Sequence, residues 1–270
     1  MDGLSRGSWT ESVRALNEAL PGIDARTLAG ELFAVGEAID GNSQVRRAVG
    51  DPSREAEPKR ELVRRLFGGR IAESTMAVLE TVVGGRWATE RDLVDALERL
   101  GFEAVFAAAE QDDVVDRVED ELFRFERLVA ADKELDRSLS RSDVDGRHRA
   151  QLVIDLLAGR ALPDTVWLAQ RPLLHPRGRK FAAVMEEQFD VVSRRRDQMT
   201  AVVTSAVPLS WEQQERLAAG LARVYGHKMF VTVAVDPSVL GGLRVKVGGE
   251  LIDGTVARRL EDVRRAMGAA

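Results

Sequence analysis

The spacing of apolar residues changes once along this chain, at about residue 198, and that change limits the folds open to it. Before it, apolar positions recur three and four apart, the period of a helix with one buried face. After it they alternate, the period of a strand. Leu28, Leu32, Val35 and Ile39 make one helical stripe, and Val118, Leu122, Phe125 and Val129 make another. Helix-breaking pairs separate the stripes: Pro21-Gly22, Gly41-Asn42, Asp51-Pro52, Gly68-Gly69, Gly84-Gly85, Gly146 and Leu162-Pro163. The predicted helices are therefore short, roughly 10 to 18 residues, as in a compact bundle. With aromatic residues at 5%, they must pack through Leu, Val and Ala. The longest uninterrupted apolar run, Ala104 to Ala109, is far short of the ~18 residues that span a bilayer.

The helical region repeats itself. Laid on 121–168 without a gap, residues 31–78 match at ten of 48 positions. Glu31-Leu32-Phe33 falls on Glu121-Leu122-Phe123, and Arg47 on Arg137. Leu62, Val63, Leu66, Gly69, Arg70 and Thr75 fall on Leu152, Val153, Leu156, Gly159, Arg160 and Thr165. An internal duplication at an offset of 90 residues follows from the match, with one helical plan for both halves.

At about residue 171 the helical pattern breaks, because Pro172 and Pro176 lack amide donors. One further helix carries Phe181, Met185, Gln188, Phe189 and Val192 and ends in Arg194-Arg195-Arg196. Beyond it, Ala201–Ala206 reads as a strand, and Ser210 with Gln213 is a capping box for a helix with Leu217, Leu221 and Val224 inward and Gly226 at its end. Met229–Val235 reads as a strand buried on both sides. Leu243–Val247 reads as a strand buried on one side, turning at Gly248-Gly249 into Glu250-Leu251-Ile252. A last helix carries Val256, Leu260, Val263 and Met267. The expected fold is mainly α: a helical bundle region with an internal duplication, then a small α+β domain. The boundaries are 1–88 for the extra helical segment, 89–198 for the bundle and 199–270 for the small domain.

The inventory for catalysis is thin. His148, His175 and His227 lack a second ligand at i+3 or i+4 and read as surface residues. Gly3-Leu4-Ser5-Arg6-Gly7 has the letters of a nucleophile elbow, but only two residues precede it where a buried strand is required. There is no phosphate-binding loop. The acidic set Asp112, Asp113, Asp116, Glu119, Asp120 and Glu121 lacks the spacing of a calcium loop and reads as a solvated helix face. No cysteine is present and net charge is −5, which disfavours thiolate chemistry and binding to phosphate backbones. The basic stretch of Arg171, Arg177, Arg179, Lys180 and Arg194–Arg196 has no interleaved aromatics and reads as a solvated or partner-facing patch. The start lacks the basic end, apolar run and cleavage site of a signal peptide, so a cytoplasmic protein is expected. No catalytic residue, cofactor or metal site is expected.

The C-terminal region says more. Val203–Leu209, Val235–Gly248 with its Asp236-Pro237-Ser238 and Gly241-Gly242, and Ile252-Asp253-Gly254-Thr255-Val256 closely resemble the delta subunit of F-type ATP synthases. That family includes the mitochondrial subunit conferring oligomycin sensitivity. Upstream, Asp95-Ala96-Leu97, Val118–Leu122 and Leu152–Arg160 resemble the family's helical bundle, with Leu93 where tyrosine is usual. The motif positions are Ser205, Pro208, Leu209, Asp236, Pro237, Gly241, Gly242, Gly248, Ile252, Asp253 and Gly254. They read as structural or partner-facing, the glycines as structural first.

The resemblance implies a non-catalytic stator component at the cytoplasmic face of the bacterial membrane, without membrane insertion. Its helical bundle, with the groove expected among apolar helix faces of residues 89–170, would grip the alpha subunits of the catalytic head. Its residues 200–270 would hold subunit b. Residues 1–88 exceed the family's usual plan. Two rival readings are a free-standing helical adaptor or regulatory scaffold, and an RNA-binding helical protein.

Overall fold

The computed structural model describes residues 3–258 apart from 142, 197, 227, 240, 248, 249 and 257. The chain forms two compact units, Met1–Val192 and Ser193–Ala270. The first holds α1 (Gly3–Ala19), a single 3-10 turn at Leu20–Gly22, α2 (Ala25–Asp40), α3 (Ser43–Gly50), α4 (Ala56–Phe67) and α5 (Glu73–Gly84). There follow α6 (Glu90–Gln111), α7 (Val115–Ala131), α8 (Lys133–Ser140), α9 (Gly146–Leu157), α10 (Pro163–Leu174) and α11 (Phe181–Arg196).

These helices repeat with the offset seen in the sequence. α3, α4 and α5 begin and end 90 residues before α8, α9 and α10, and α2 begins 90 residues before α7. Local chemistry repeats with them. Asn42 caps α3 by accepting from the amides of Gln44 and Val45, and Asp132 caps α8 by accepting from Glu134 and Leu135. Glu31 accepts from the Ala72 amide at 3.1 Å and from the Thr75 hydroxyl, tying α2 to the start of α5. Glu121 does the same for α7 and α10, accepting from the Leu162 amide at 2.8 Å and the Thr165 hydroxyl at 2.7 Å. Gly69 and Gly159 both take left-handed angles, φ 70° and 68°. Shifted by 90, α1 falls inside α6 and the start of α6 falls beside that of α11. α6 is thus the last helix of one six-helix set and the first of the next.

Serving both sets buries α6 all round. Leu93, Leu97, Leu100, Phe102, Val105 and Phe106 are inaccessible, and the apolar run Ala104–Ala109 is core. α2 lies so close to α6 that a β-carbon on Gly101 would stand 2.2 Å from Phe33 Cε1. Phe33 cannot retreat, because Trp167 of α10 meets it edge-on with ring centres 5.5 Å apart and the Arg171 guanidinium sits 4.0 Å over its face. Ion pairs flank this contact. Arg26 of α2 grips Asp164 through two bonds of 2.8 and 2.7 Å, and Glu37 meets both Arg171 at 2.8 Å and His175 at 3.0 Å. The two copies of the helical plan are joined here, through α2 on α6 and α10.

The helical pattern does not break at residue 171. α10 continues to Leu174 with Pro172 inside it. Proline at 172 deprives the Leu168 carbonyl of its helical donor, and the buried Gln188 side chain of α11 supplies one at 3.1 Å. The acidic set also divides, with Asp112 and Asp113 lying between α6 and α7 and not on a helix.

The second unit holds β1 (Gln198–Ser205), α12 (Trp211–Tyr225), β2 (Lys228–Val235), β3 (Leu243–Val247) and β4 (Glu250–Asp253), in the sheet order β2-β1-β3-β4. β1 and β2 run parallel, joined through α12; the other pairs are antiparallel. Ala201, Val203, Leu221, Met229, Val245 and Val247 form the core. The Ser210–Gln213 capping box is present, and Gly226 ends α12 at φ 73°. Two expectations fail. Val224 is 76% exposed, since the face meeting the sheet runs through Leu217, Ala218, Leu221, Ala222 and Tyr225. β2 is an edge strand, not one buried on both sides: Val231 and Val233 are half-buried, and Ala234 and Val235 are exposed. Gly248-Gly249 and the last helix beyond Val256 lie outside the described residues.

Two predictions follow from the join. Gly101→Ala should lower stability by about 2 kcal/mol in urea titration, as overpacking does. The same exchange at Gly7, with nothing within 4 Å of the added carbon, should raise it by up to ~1 kcal/mol. The His175 hydrogen bond, with the Arg171 bond and charge, holds Glu37 down to about 2 from 4.5 against the opposing effect of burial. A lowered carboxylate stabilises the fold above its unfolded value, and that stability is lost as pH falls from 4.5 toward 2. Glu37→Gln should lower stability at neutral pH and flatten its fall across that acid window, measured by urea titration at a series of pH values.

Candidate partner-binding surfaces

The motif residues of the second unit hold the chain together through its backbone. The Asp236 amide donates to the Ser205 carbonyl at 2.9 Å, and the buried Ser205 hydroxyl donates to the Val207 carbonyl at 2.6 Å. Asp236 then accepts from the Ser238 amide at 2.9 Å, and Asp253 accepts from the Thr255 amide and hydroxyl at 3.0 and 2.7 Å. Those bonds to the charged form hold both carboxyls below their usual range. Gly241 and Gly242 adopt φ 128° and 81°, and a β-carbon on Gly242 would stand 2.5 Å from the Gly254 carbonyl oxygen. That closeness lets Gly254 donate to the Leu243 carbonyl and Val256 to the Gly241 carbonyl, both at 2.9 Å. Leu209 packs against the core, whereas Pro208 and Pro237 are exposed and Ile252 is 40% exposed. Gly248 lies outside the described residues.

Apolar side chains left at the surface of this unit include Val207, Trp211, Val235, Leu251 and Ile252. In the helical unit they are Phe123, Leu128 and Leu152, all on helices of the second copy. Leu128, Ala131, Lys133, Leu135, Arg137 and Leu156 line an open groove of about 750 Å³ between α7, α8 and α9. Its lining mixes leucine with charged side chains, a chemistry suited to an amphipathic segment.

The serines at the start of the chain have internal roles. Ser5 is buried, donating to Asp92 at 2.6 Å and accepting from the Ala88 amide at 3.0 Å. Neighbouring Ser8 donates to the Arg86 carbonyl at 2.7 Å. His148 is exposed on α9, His175 is engaged with Glu37, and His227 lies outside the described residues. No group of three or more metal-ligating side chains occurs among the described residues. No helix among them is long and apolar enough to cross a membrane.

Three arginines of the basic stretch, read from composition as a solvated or partner-facing patch, turn inward, whereas Lys180 stays exposed. Arg171, Arg177 and Arg179 are largely buried. Arg177 pairs with Asp95 at 3.0 Å and with the buried Glu98; Arg179 also pairs with Glu98, and with Glu187 at 2.8 Å. Burial pushes the Asp95 and Glu187 carboxyls above their ordinary range despite these arginines. Burial also disfavours the charge on Arg179, but Glu98 and Glu187 outweigh it and raise that guanidinium. The arginines thus pin the segment between α10 and α11 onto α6. What the sequence missed here is the acidic side: Glu98 sits in an apolar-looking helix with nothing local to mark it as their partner.

The architecture is that of a helical protein with a repeated bundle, a small α+β unit and separate apolar surfaces on each. Residues 103–267 match the family described as ATP synthase delta (OSCP) subunit, and the chain belongs to that family. The ATP synthase subunit delta of Streptomyces griseus subsp. griseus is 44% identical over 245 residues, covering 91% of this chain and 90% of that one. Those of Streptomyces avermitilis and Kineococcus radiotolerans are 43% and 44% identical, covering 97% and 98% of this chain and 98% and 97% of theirs. The first copy of the helical plan lies almost wholly outside the family match, yet within the span shared with these relatives. A chain from the Toxoplasma gondii mitochondrial ATP synthase hexamer aligns over 63% of this chain and 96% of its own, at 20% identity and a TM-score of 0.30.

If the paired glycines are structural, Gly242→Ala should cost the C-terminal unit about 2 kcal/mol, from strained backbone and overpacking together. Pro237→Ala should change its stability little. Thermal melts monitored at Trp211 check both. A stable Gly242→Ala protein would move the motif to direct partner contact.

Proposed function

We propose that this chain is a non-catalytic stator subunit of a proton-translocating F-type ATP synthase, linking the alpha subunits of the head to subunit b of the peripheral stalk. It resists the counter-torque of the rotor, so that proton flow drives ATP synthesis and the head does not spin idly. The observation that carries this reading is the match to ATP synthase delta subunits over nearly the full length of both chains. It is supported by exposed apolar surface on each of two separately packed units. The groove of α7, α8 and α9, lined by leucine and charged side chains, falls within residues 89–170 and is the proposed alpha contact. The apolar surface of residues 200–270 is the proposed contact for b.

In this reading residues 1–88 are an extra partial duplicate of the bundle, 89–198 the part that binds the head and 199–270 the part that binds the stalk. The subunit works as a peripheral member of the complex at the cytoplasmic face of the bacterial membrane. A link under torque needs affinity near nanomolar or better, about 12 kcal/mol in total. The RNA-binding alternative loses part of its support, because three of the arginines that suggested it, Arg171, Arg177 and Arg179, are used inside the fold.

A tagged intact chain should bring down alpha, beta and b subunits from solubilised membranes; capture without them would favour the free-standing adaptor. Deleting residues 200–270 should release the head from the membrane with its soluble ATP hydrolysis unchanged. Loss of hydrolysis in the released head would refute a non-catalytic role.

A further inference from the structure

In each copy of the helical plan the turn that leads into the last helix is fastened to the first helix, and the two copies do this with different chemistry. In the first copy Ser5 and Ser8 of α1 hold residues 86–88, just ahead of α6. Ser8 donates to the Arg86 carbonyl at 2.7 Å and accepts from the Arg86 amide at 2.8 Å, and Ser5 accepts from the Ala88 amide at 3.0 Å. Shifted by 90, those serines become Asp95 and Glu98 of α6, and residues 86–89 become 176–179, just ahead of α11. There the fastening runs through side-chain charge, with Arg177 on Asp95 and Glu98, and Arg179 on Glu98 and on Glu187 of α11. Arg177 is held at a left-handed φ of 46°, uncommon for a residue with a side chain.

We infer that the turn at residues 176–179 is a latch on the start of α11 that acid tightens, whereas its counterpart at 86–88 is a fixed fastening. Three carboxylates, Asp95, Glu98 and Glu187, converge on two arginines, and closing the turn takes them out of water. Glu98 is buried, with its Oε1 left without a hydrogen-bond partner, and Asp95 and Glu187 are partly buried. Arg91 and Arg99 of α6 add positive charge, the first acting on Asp95 and the second on Glu187. Burial outweighs all four arginines and pushes both carboxyls above their ordinary range. Opening the turn would return them to water and to about 4. The closed turn therefore holds protons that the open one releases, so closure is favoured as pH falls through the raised values toward the ordinary ones. In the first copy the bonds run between serine hydroxyls and the backbone, and neither partner titrates; Asp92, at the start of α6, accepts from Ser5 at 2.6 Å beyond the turn. The inference does not depend on the stator assignment.

The test is amide hydrogen exchange on the full chain, expressed as protection factors so that the chemical pH dependence of exchange drops out. From about pH 8 to pH 5 the amides of residues 177–181 should gain about twofold or more in protection, and those of residues 85–89 should gain less than that. The pair Asp95→Asn with Glu187→Gln leaves both groups uncharged at every pH, and it should hold residues 177–181 at the acid level of protection throughout. Unchanged or falling protection at 177–181 in acid, an equal gain at 85–89, or a gain that persists in the double variant would each overturn the inference. The first two comparisons are made on the unaltered chain and stand whether or not the variant folds.

Discussion

The helical unit depends on one contact, the ring of Phe33 held against the bare backbone of Gly101 by Trp167 and Arg171. Three helices meet there, two of them from different copies of the repeat. A glycine inside a long helix costs helix propensity of about 1 kcal/mol. That cost is offset because the missing side chain lets α2 reach α6 closely enough for Phe33 to become common core. The guanidinium over the ring then works twice, closing the apolar contact from above and meeting the Glu37 carboxylate at its edge. Taking one partner from such a half-buried group leaves a charge facing low-dielectric surroundings, which is more costly than the pair is favourable.

Sharing α6 between the copies explains where the chain's apolar residues went. A helix at the edge of a bundle needs one apolar stripe. A helix that closes one six-helix set and opens another is surrounded, and its small residues Ala104, Ala107, Ala108 and Ala109 let neighbours approach on several sides. The sharing also makes the copies unequal. The α2 face of the first is closed over by its neighbour, whereas at the corresponding place in the second Phe123 meets Phe189 of α11 and stays 54% exposed.

The helices, their glycine breaks and the repeat were legible in the sequence because each rests on local signals: a 3.6-residue period, a cap or a left-handed glycine. Leu28, Leu32, Val35 and Ile39 are buried as their spacing requires. What was not legible depends on distant partners. Pro172 reads as a stop until Gln188, sixteen residues on, is seen to satisfy the orphaned Leu168 carbonyl. Val224 reads as inward until the sheet it would face is placed. Arg177 and Arg179 read as solvated until Glu98 is found buried beneath them. In the C-terminal unit the glycine pair was legible as tight backbone, but its reason is the Gly254 carbonyl on another strand end.

The arginine network also sets how the helices are held against one another. Hydrophobic contacts are non-directional and let packed helices slide, whereas charge-assisted guanidinium–carboxylate bonds, the two-pronged Arg26–Asp164 grip above all, fix distance and orientation. Arg26 on Asp164, Arg171 on Glu37, and Arg177 and Arg179 on Glu98 all join segments far apart in sequence. An apolar join of equal area would be as stable but freer to shear. With Arg171, Arg177 and Arg179 placed inside the fold, Phe123, Leu128 and Leu152 on α7 and α9 remain as exposed apolar side chains of the helical unit.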